Sequence, residues 1–444
     1  MAKGKLQVRL VKAETEIPVK NATVLVSQSV TEEFQNKEIN LYTDSSGFTE
    51  IIELDTPDIF YSESYSSYVP YSTCVIKVVA EGYTDIKIIG TQILPKVTAM
   101  QAIELKPKGE GHEEEEVLII PDSELINIPP KKKFDDQQNF ISDLVSIIDD
   151  REVMIPSYVI VHLGTPDDKN AENLKVKFND YIKNVCSCEI YATWSETAIR
   201  VNVYCIISFV LNRIYTEWYG VQGMDFHITN DSRYDQVFVK GRNTYKNIDR
   251  IVDLIFNTYI VIGNKRTPVL AKYCSGEEYI ENGCLLKWQS KFLADKGLNP
   301  TEILNVFFGT EHSFARTRRI EGVPREYPGY PLGVGESGEY VKTVQTYLNF
   351  ISEYYPVIDK IDVNGHYDIK TAIAVKKFQE LFSLSGSGIV DFATWYSIAK
   401  LYVSLATTAE NDVNRLRAFR EGIFIPPTID EEYGYIPIIK YPLE

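Results

Sequence analysis

The stretch VNGHYDIKTAIAVKKFQELFSL (residues 363–384), followed by SGIVDFATWYSIAKLY (residues 387–402), decides the fold of the C-terminal part of the chain. Each half begins at a turn that contains glycine and enters a helix through a threonine, Thr371 or Thr394. Apolar residues then recur at helical spacing, as they do in the preceding GVGESGEYVKTVQTYLNFI (residues 333–351). This pattern predicts a compact three-helix module of about 70 residues.

The predicted module resembles the type 1 peptidoglycan-binding domain that is attached to many cell-wall hydrolases. The resemblance rests on V-x-x-V-Q-x-x-L at residues 341–348, T-x-x-A-V-x-x-F-Q at residues 371–379, and a closing Thr394-Trp395 pair. The alternative is a generic three-helix bundle with turn glycines. The resemblance implies peptidoglycan as the partner, with the wall-binding residues Asn364, Gly365, Tyr367, Gln379 and Trp395.

The whole chain is acidic, and its length implies more than one domain. With 444 residues, two or three domains are expected, and the net charge of −16 argues against a nucleic-acid partner. Residues 107–152 are the most acidic stretch and predict a linker that ends in an amphipathic helix. The start lacks a secretion signal and no later run is long enough to span a bilayer, so synthesis in a cytoplasm is expected.

The cysteines give no sign of a metal site. They form no C-x-x-C pair and no cysteine–histidine cluster at zinc spacing, so reduced and mostly buried thiols are expected. The six positions are Cys74, Cys186, Cys188, Cys205, Cys274 and Cys284.

Two further regions precede the helical module. Residues 1–106 alternate apolar and polar side chains and predict an antiparallel β-sandwich, similar to transthyretin-like modules, with a structural or pro-region role. Residues 153–325 predict a mixed α/β middle domain around a long apolar helix that Ser195 caps and that runs to about Trp218. The predicted fold class is therefore multidomain α+β, with the helical module at residues 326–410 and a tail at residues 411–444.

The middle domain resembles the stage-II-sporulation-D-like family of lytic transglycosylases. The matching elements keep the family's order and spacing, whereas the helix core at residues 200–209 departs from its K-A-Q-A-x-A-A-R-T-Y pattern. The resemblance implies cleavage of glycan strands to 1,6-anhydro-muramic ends. The elements are Glu189 with Trp194, Glu196-Thr197-Ala198, Q-V-F-V-K-G at residues 236–241, Y-C-S-G at residues 273–276 and I-L-N-V-F-F-G at residues 303–309.

The implied reaction needs a carboxylic acid that is protonated near neutral pH, which burial beside apolar groups favours. The same carboxylate then acts as a base on the C6 hydroxyl of muramic acid and closes the anhydro ring without water. By its position in the motif we assign Glu196 as the catalytic acid, with Glu189 as the alternative. A glutamate in a first helical turn also complements the helix dipole, and Glu189 also suits an ion pair with a lysine.

The resemblance also implies residues that line a glycan groove, although each of them equally fits a turn or a strand. Some members of the family hold zinc with cysteine and histidine residues just before the Q-V motif. Here only His227 is available in that stretch, so no metal and no cofactor are expected. The implied groove residues are Trp194, Gln236, Tyr273 and Ser275.

The order of the three modules resembles the spore cortex-lytic enzymes of the SleC type. This resemblance implies a zymogen in the spore cortex and outer layers, made in the mother-cell cytoplasm without a standard signal peptide. A germination protease is the implied second partner, and its cut between about Pro129 and Val153 would remove the N-terminal region. Two alternative functions stay open, a non-catalytic peptidoglycan-binding spore protein and a muramidase-type hydrolase. It also stays open whether the pro-region inhibits the enzyme or assists its folding.

Overall fold

A computed structural model of the chain describes residues 2–28, 37–66, 68–109, 115–123, 125, 152–274 and 284–420, with side chains up to residue 409. The fold is mixed α+β with several sheets and a helical C-terminal region, which confirms the predicted fold class. The predicted amphipathic helix of the acidic linker, Ser275 and residues 421–444 lie outside the described residues.

The N-terminal region consists of two β-sheets. One has the strand order β3-β2-β5-β6-β8, and the other has β7-β1-β4 with a fourth strand from the middle region. The expected all-antiparallel sandwich is wrong in two places, because β1 runs parallel to β7 and β6 runs parallel to β8. These pairs are joined by long crossovers instead of hairpins. The elements are β1 (Ala2–Lys12), β2 (Thr23–Gln28), β3 (Lys37–Tyr42), β4 (Ile52–Thr56), α1 (Phe60–Glu63), β5 (Ser72–Val79), β6 (Ile86–Ile93), β7 (Thr98–Leu105) and β8 (Glu116–Ile119).

Alternation of apolar and polar residues produces these strands. In β1 the side chains of Leu6, Val8 and Leu10 are fully buried, whereas the residues between them are partly exposed. The chain reverses before β4 at a turn in which Asp44 Oδ1 accepts the backbone N–H of Phe48 at 3.0 Å. The N-terminal region therefore has the local structure that its sequence pattern predicts.

The middle region is built around one buried helix, α3 (Glu196–Tyr215). Ser195 caps this helix by accepting the backbone N–H of Ala198, as its sequence predicts. Short sheets surround it, in the orders β10-β9-β11, β13-β16 and β14-β15. The elements are β9 (Tyr158–His162), β10 (Asn173–Lys177), α2 (Phe178–Glu189), β11 (Ile228–Thr229), β12 (Thr244–Tyr245), α4 (Lys246–Ile255), β13 (Thr258–Ile262), β14 (Lys272–Tyr273), β15 (Cys284–Leu285), α5 (Lys287–Asp295), α6 (Pro300–Phe308) and β16 (His312–Arg316).

Helix α3 has a membrane-like composition. Within the described part of the chain it is the one helix that is long and apolar enough to cross a bilayer. However, 72% of its apolar window is buried inside the protein, as in the core helix of a globular fold. It is therefore no clear membrane span.

The segment D-Q-V-F-V-K-G (residues 235–241) alternates apolar and polar residues in part, as a strand does, but it forms no strand. Side chains bind its backbone N–H groups instead. Val237 donates to Glu189 Oε1 at 3.0 Å, and Val239 donates to Asn184 Oδ1 at 3.1 Å. Both acceptors belong to helix α2, so this extended segment pairs with the face of a helix and not with another strand.

The C-terminal region contains three helices, α7 (Glu339–Ser352), α8 (Ile369–Leu381) and α9 (Phe392–Arg420). Gln345 of α7 holds the turn that leads to α8. Its Oε1 accepts the N–H of Gly365 at 2.9 Å, and its Nε2 donates to the carbonyl of His366 at 2.8 Å and to the hydroxyl of Thr371 at 3.2 Å. One buried amide thus fixes both the turn and the start of the next helix.

The same arrangement is repeated one helix later. Gln379 of α8 accepts the N–H of Gly388 at 2.8 Å, and its Nε2 donates to the carbonyl of Ile389 at 2.8 Å and to the hydroxyl of Thr394 at 2.9 Å. The two half-similar sequences therefore form two equivalent glutamine-glycine-threonine clamps.

Candidate functional site

Glu196, assigned from the motif as the catalytic acid, lies on the surface at the start of α3. Its side chain is 47% exposed. Oε1 accepts two hydrogen bonds from Arg200, at 2.8 and 2.9 Å, and Oε2 accepts one from Arg250 at 2.8 Å. The bonds from Arg250 and Arg200 lower the pKa of Glu196 below its ordinary value. The expected apolar setting is therefore wrong, because two guanidinium groups hold this carboxylate in its charged form.

Glu189, the alternative acid, is buried at the end of α2. Its side chain is 4% exposed. One carboxylate oxygen accepts the N–H of Val237 at 3.0 Å, and the other is paired with the ammonium group of Lys287. Lys287 begins helix α5, and its side chain is 23% exposed. The sequence suggested a lysine as the ion-pair partner of Glu189. In the structure this lysine is Lys287, which lies two residues after strand β15.

A group of aromatic side chains packs around Trp288, the residue that follows Lys287 in the sequence. Trp194 is buried, and its ring centroid is 5.1 Å from that of Trp288, the neighbour of Lys287. Tyr191 lies 6.1 Å from both tryptophan rings. The indole N–H of Trp194 donates to the carbonyl of Ser62 in the N-terminal region at 2.9 Å. These rings thus form an aromatic cluster between the N-terminal region and the start of α5.

Gln236 and Tyr273, two of the predicted groove residues, lie next to this cluster. Gln236 is buried, with Oε1 accepting from the hydroxyl of Tyr181 at 2.9 Å and Nε2 donating to a backbone carbonyl of α3 at 3.2 Å. The Tyr273 hydroxyl donates to Asn202 at 3.1 Å, and its ring lies 4.5 Å from the ammonium of Lys287. Both side chains are held by protein partners, so they support the site instead of presenting free groups to a sugar.

A disulfide joins Cys274, directly after β14, to Cys284, the first residue of β15. The expectation of reduced thiols is wrong for this pair, and the four remaining cysteines are buried and not disulfide-bonded. The two Cα atoms lie 5.6 Å apart, within the range that a disulfide requires. The bond holds together the two short strands that carry Tyr273 and lead to Lys287. A separation of ten residues in sequence gave no reason to choose this pairing over the others.

The described residues also enclose a cavity of about 280 Å³, at the opposite end of α3. Its lining includes Arg213, Tyr219, Phe226 and His227. Arg213 follows Glu196 by 17 residues in the same helix, which is roughly 25 Å along its axis, so this cavity is remote from Glu196. Arg213 is paired there with buried Asp235 at 2.8 Å. Neither Glu189 nor Glu196 lines the cavity, so we place the candidate acid site outside it.

His227, the one residue suggested as a possible zinc ligand, has a backbone partner. Its Nδ1 accepts the N–H of Ile160 at 3.2 Å, and burial lowers its pKa. Within residues that the structure describes, no group of three or more His, Cys, Asp and Glu side chains is placed to hold a metal ion.

The predicted wall-binding residues lie mostly inside the C-terminal module. Tyr367, Gln379 and Trp395 are buried, and the Tyr367 hydroxyl donates to a backbone carbonyl at 2.9 Å. Gly365 is buried in the turn that Gln345 holds. Asn364 is exposed at that turn. Four of the five predicted positions therefore build the fold, and Asn364 alone among them presents a side chain to the surface.

Comparison with known proteins gives an independent result for this module. Residues 337–398 match the family model of a peptidoglycan binding domain. No curated protein matches the chain. The matched segment lies within the predicted module and does not extend to the middle region. It supports peptidoglycan as a partner of the protein.

Proposed function

We propose that this protein is a spore cortex-lytic enzyme that binds peptidoglycan through its C-terminal module and cleaves glycan strands with its middle region, by lytic transglycosylation. The observation that carries the proposal is the placement of Glu189. Its side chain is 4% exposed and is paired with Lys287, whose ammonium lies 4.5 Å from the ring of Tyr273, in a chain whose residues 337–398 match a peptidoglycan binding domain. We therefore move the proposed acid from Glu196 to Glu189.

The proposed reaction uses one carboxyl group twice. Lys287 balances the charge of Glu189 in the free chain, and its partly exposed side chain can turn towards solvent when a glycan strand enters. Burial without a counter-charge favours the protonated carboxyl group. Glu189 then gives its proton to the glycosidic oxygen as the bond to C1 of the muramic sugar breaks. The resulting carboxylate takes the proton of the C6 hydroxyl, whose oxygen bonds to C1 and closes the anhydro ring.

The proposal includes storage as a zymogen in the spore cortex and activation by a germination protease that cuts between about Pro129 and Val153. Contacts from the N-terminal region support it. Ser62 accepts the indole N–H of Trp194, and the ring of Tyr65 lies 6.0 Å from that of Trp288. The N-terminal region therefore contacts Trp194 and Trp288, which follow the proposed acid and its lysine partner in the sequence.

A second function, peptidoglycan binding without catalysis, is favoured by the ion pair itself. Glu189 already has a lysine partner and a backbone N–H partner, as a carboxylate with a structural role does. In this case the middle region is a scaffold whose buried ion pair is structural.

Mass spectrometry of cortex fragments, after digestion with the protease-cut chain, distinguishes the candidates. Transglycosylation predicts 1,6-anhydro-muramic ends, a muramidase-type hydrolase predicts reducing ends, and a pure binding protein leaves the cortex intact. We expect anhydro ends from the unaltered chain and a loss of at least about 100-fold in Glu189→Gln. Pelleting of both proteins with cortex is the control, because wall binding by the C-terminal module does not need Glu189. Intact cortex with a fully bound, unaltered chain would overturn the catalytic proposal.

A further inference from the structure

We propose that the N-terminal region stays bound to the rest of the protein after the chain is cut in the acidic linker, so that the processed protein is a two-chain complex. The contacts that support this inference do not depend on catalysis. Only its relevance to activation rests on the proposed function.

The first support is a β-sheet that is shared by both sides of the cut. Strand β12 of the middle region pairs with β7 in antiparallel register, with Thr244 opposite Met100 and Tyr245 opposite Ala99. This pairing completes a four-stranded sheet whose other three strands are N-terminal. Removal of the N-terminal region would leave both strands with an open edge.

The second support is a reciprocal pair of hydrogen bonds next to that strand. The amide of Asn243 accepts the backbone N–H of Gln92 at 2.9 Å and donates to its carbonyl at 3.0 Å. The hydroxyl of Tyr245 donates to the same carbonyl at 3.2 Å. All three residues are almost fully buried. If the two fragments separated, each of these groups would be hydrated or would lack a hydrogen-bond partner. This cost opposes dissociation.

Three further contacts surround this pair. Gln101 of β7 donates to the carbonyl of Gly241 at 2.9 Å, and Arg242 donates to the carbonyl of Pro121 at 3.1 Å. The third is the bond from the indole N–H of Trp194 to the carbonyl of Ser62. Each of these contacts joins the two sides of the proposed cut, because one partner precedes Pro129 and the other follows Val153.

The N-terminal region also contacts the C-terminal module. The carboxylate of Glu16 is paired with the ammonium of Lys177 in the middle region. It is also paired with the guanidinium of Arg9, at 2.7 Å. Arg9 donates to the hydroxyl of Tyr355 at 2.9 Å, and that hydroxyl donates to the carbonyl of Glu16 at 2.6 Å. Tyr355 is fully buried in the C-terminal module. A single polar cluster thus joins all three parts of the molecule.

One consequence concerns the site. If the N-terminal region remains, Ser62 stays against Trp194 and Tyr65 stays against Trp288 after the cut. The N-terminal region would then remain in contact with both tryptophans in the processed protein, and the cut alone would not uncover them.

The test uses the full chain with a specific protease sequence placed within residues 131–150. After complete cutting, size-exclusion chromatography in native buffer follows both fragments as the protein is diluted. We expect both fragments to elute together, at the volume of the uncut chain, down to about 1 µM. Elution of the two fragments as separate peaks at that concentration, from a chain that was folded before cutting, would overturn the inference.

Two variants test whether the contacts of Asn243 and Tyr245 keep the two fragments associated. Asn243→Ala should raise the concentration at which they separate by about tenfold, and Tyr245→Phe should raise it by less. Asn170→Ala, at an exposed position, is the matched control and should change nothing. Circular dichroism of each uncut variant verifies folding. Equal behaviour of Asn243→Ala and Asn170→Ala would contradict the proposed contact, whatever the enzymatic outcome with cortex.

Discussion

The C-terminal module and the middle region bury polar groups of different kinds. In the module, residues 332–409, the buried polar side chains are neutral, and Gln345 and Gln379 each hold a turn. In the middle region buried groups include charged pairs such as Glu189 with Lys287. A neutral amide stabilises one turn at any pH, whereas a buried charge depends on its partner and on pH. The sequence motif of the C-terminal module therefore consists of residues that stabilise its fold. The middle region instead contains buried charged groups, of the kind that take part in catalysis.

The largest expected effect concerns the buried ion pair. Lys287→Ala leaves Glu189 without its counter-charge and should lower the free energy of unfolding by about 3–5 kcal/mol, measured by urea denaturation. The matched control is Lys240→Ala, whose pair with Glu172 is exposed and should contribute below about 1 kcal/mol. The double variant Glu189→Gln/Lys287→Ala should recover much of the loss. Equal losses in Lys287→Ala and Lys240→Ala would show that the pair of buried Glu189 contributes no more to stability than an exposed pair.

A comparable effect should appear in the pH dependence of stability. Burial raises the pKa of Asp249 from 3.8 to about 7. Between these values the carboxyl group is protonated in the folded chain and ionised in the unfolded chain, so its contribution to stability falls as pH rises through that window. Asp249→Asn should remove this fall and should be more stable than the parent by up to about 4 kcal/mol at pH 7.

Unfolding by urea at a series of pH values between 4 and 8 measures that difference. Other groups near Asp249, namely Lys183, Asp253 and Asp180, remain in both proteins, so the difference between the two curves isolates Asp249. A difference that does not change with pH would show that this carboxyl group titrates normally.

A smaller effect is expected in the C-terminal module. Gln379→Ala leaves the N–H of Gly388 and the hydroxyl of Thr394 without their partner and should destabilise the module by about 3 kcal/mol. Lys376→Ala, on the exposed face of the same helix, is the control. Thermal unfolding should show a loss for Gln379→Ala that is the same at pH 6 and pH 8, since no charge is involved. A loss no greater than that of Lys376→Ala would show that the clamp contributes little.

The smallest effect is expected at Glu196. Its bonds to Arg200 and Arg250 are exposed, so Glu196→Gln should lower the free energy of unfolding by no more than about 1 kcal/mol. Urea denaturation at low and high salt is the measurement, and the difference should shrink as salt screens the pair. A loss above about 3 kcal/mol would mean that this surface pair is as important as a buried one.

Local patterns predicted the local structure well. The spacing of apolar residues predicted the three C-terminal helices, and Ser195 was correctly placed as the cap of α3. The environment of each glutamate was not predictable in this way. The partners of Glu189 are Val237 and Lys287, 48 and 98 residues further along the chain. Local sequence favoured Glu196 because of its place in a motif, whereas tertiary contacts bury Glu189.

Contacts between distant segments were missed for the same reason. The pairing of β7 with β12 joins residues about 145 positions apart, and two-residue strands such as Thr244–Tyr245 have no alternation to recognise. The disulfide between Cys274 and Cys284 likewise depends on where β14 and β15 lie. These features follow from packing and not from the local pattern.

The most direct test of the account compares two glutamates seven residues apart. The measurement is the rate at which anhydro-muropeptides appear from cortex peptidoglycan, for Glu189→Gln and Glu196→Gln side by side with the unaltered chain. The account predicts a loss of at least about 100-fold for Glu189→Gln and a change within about threefold for Glu196→Gln. Loss of activity in Glu196→Gln, with activity retained in Glu189→Gln, would contradict it.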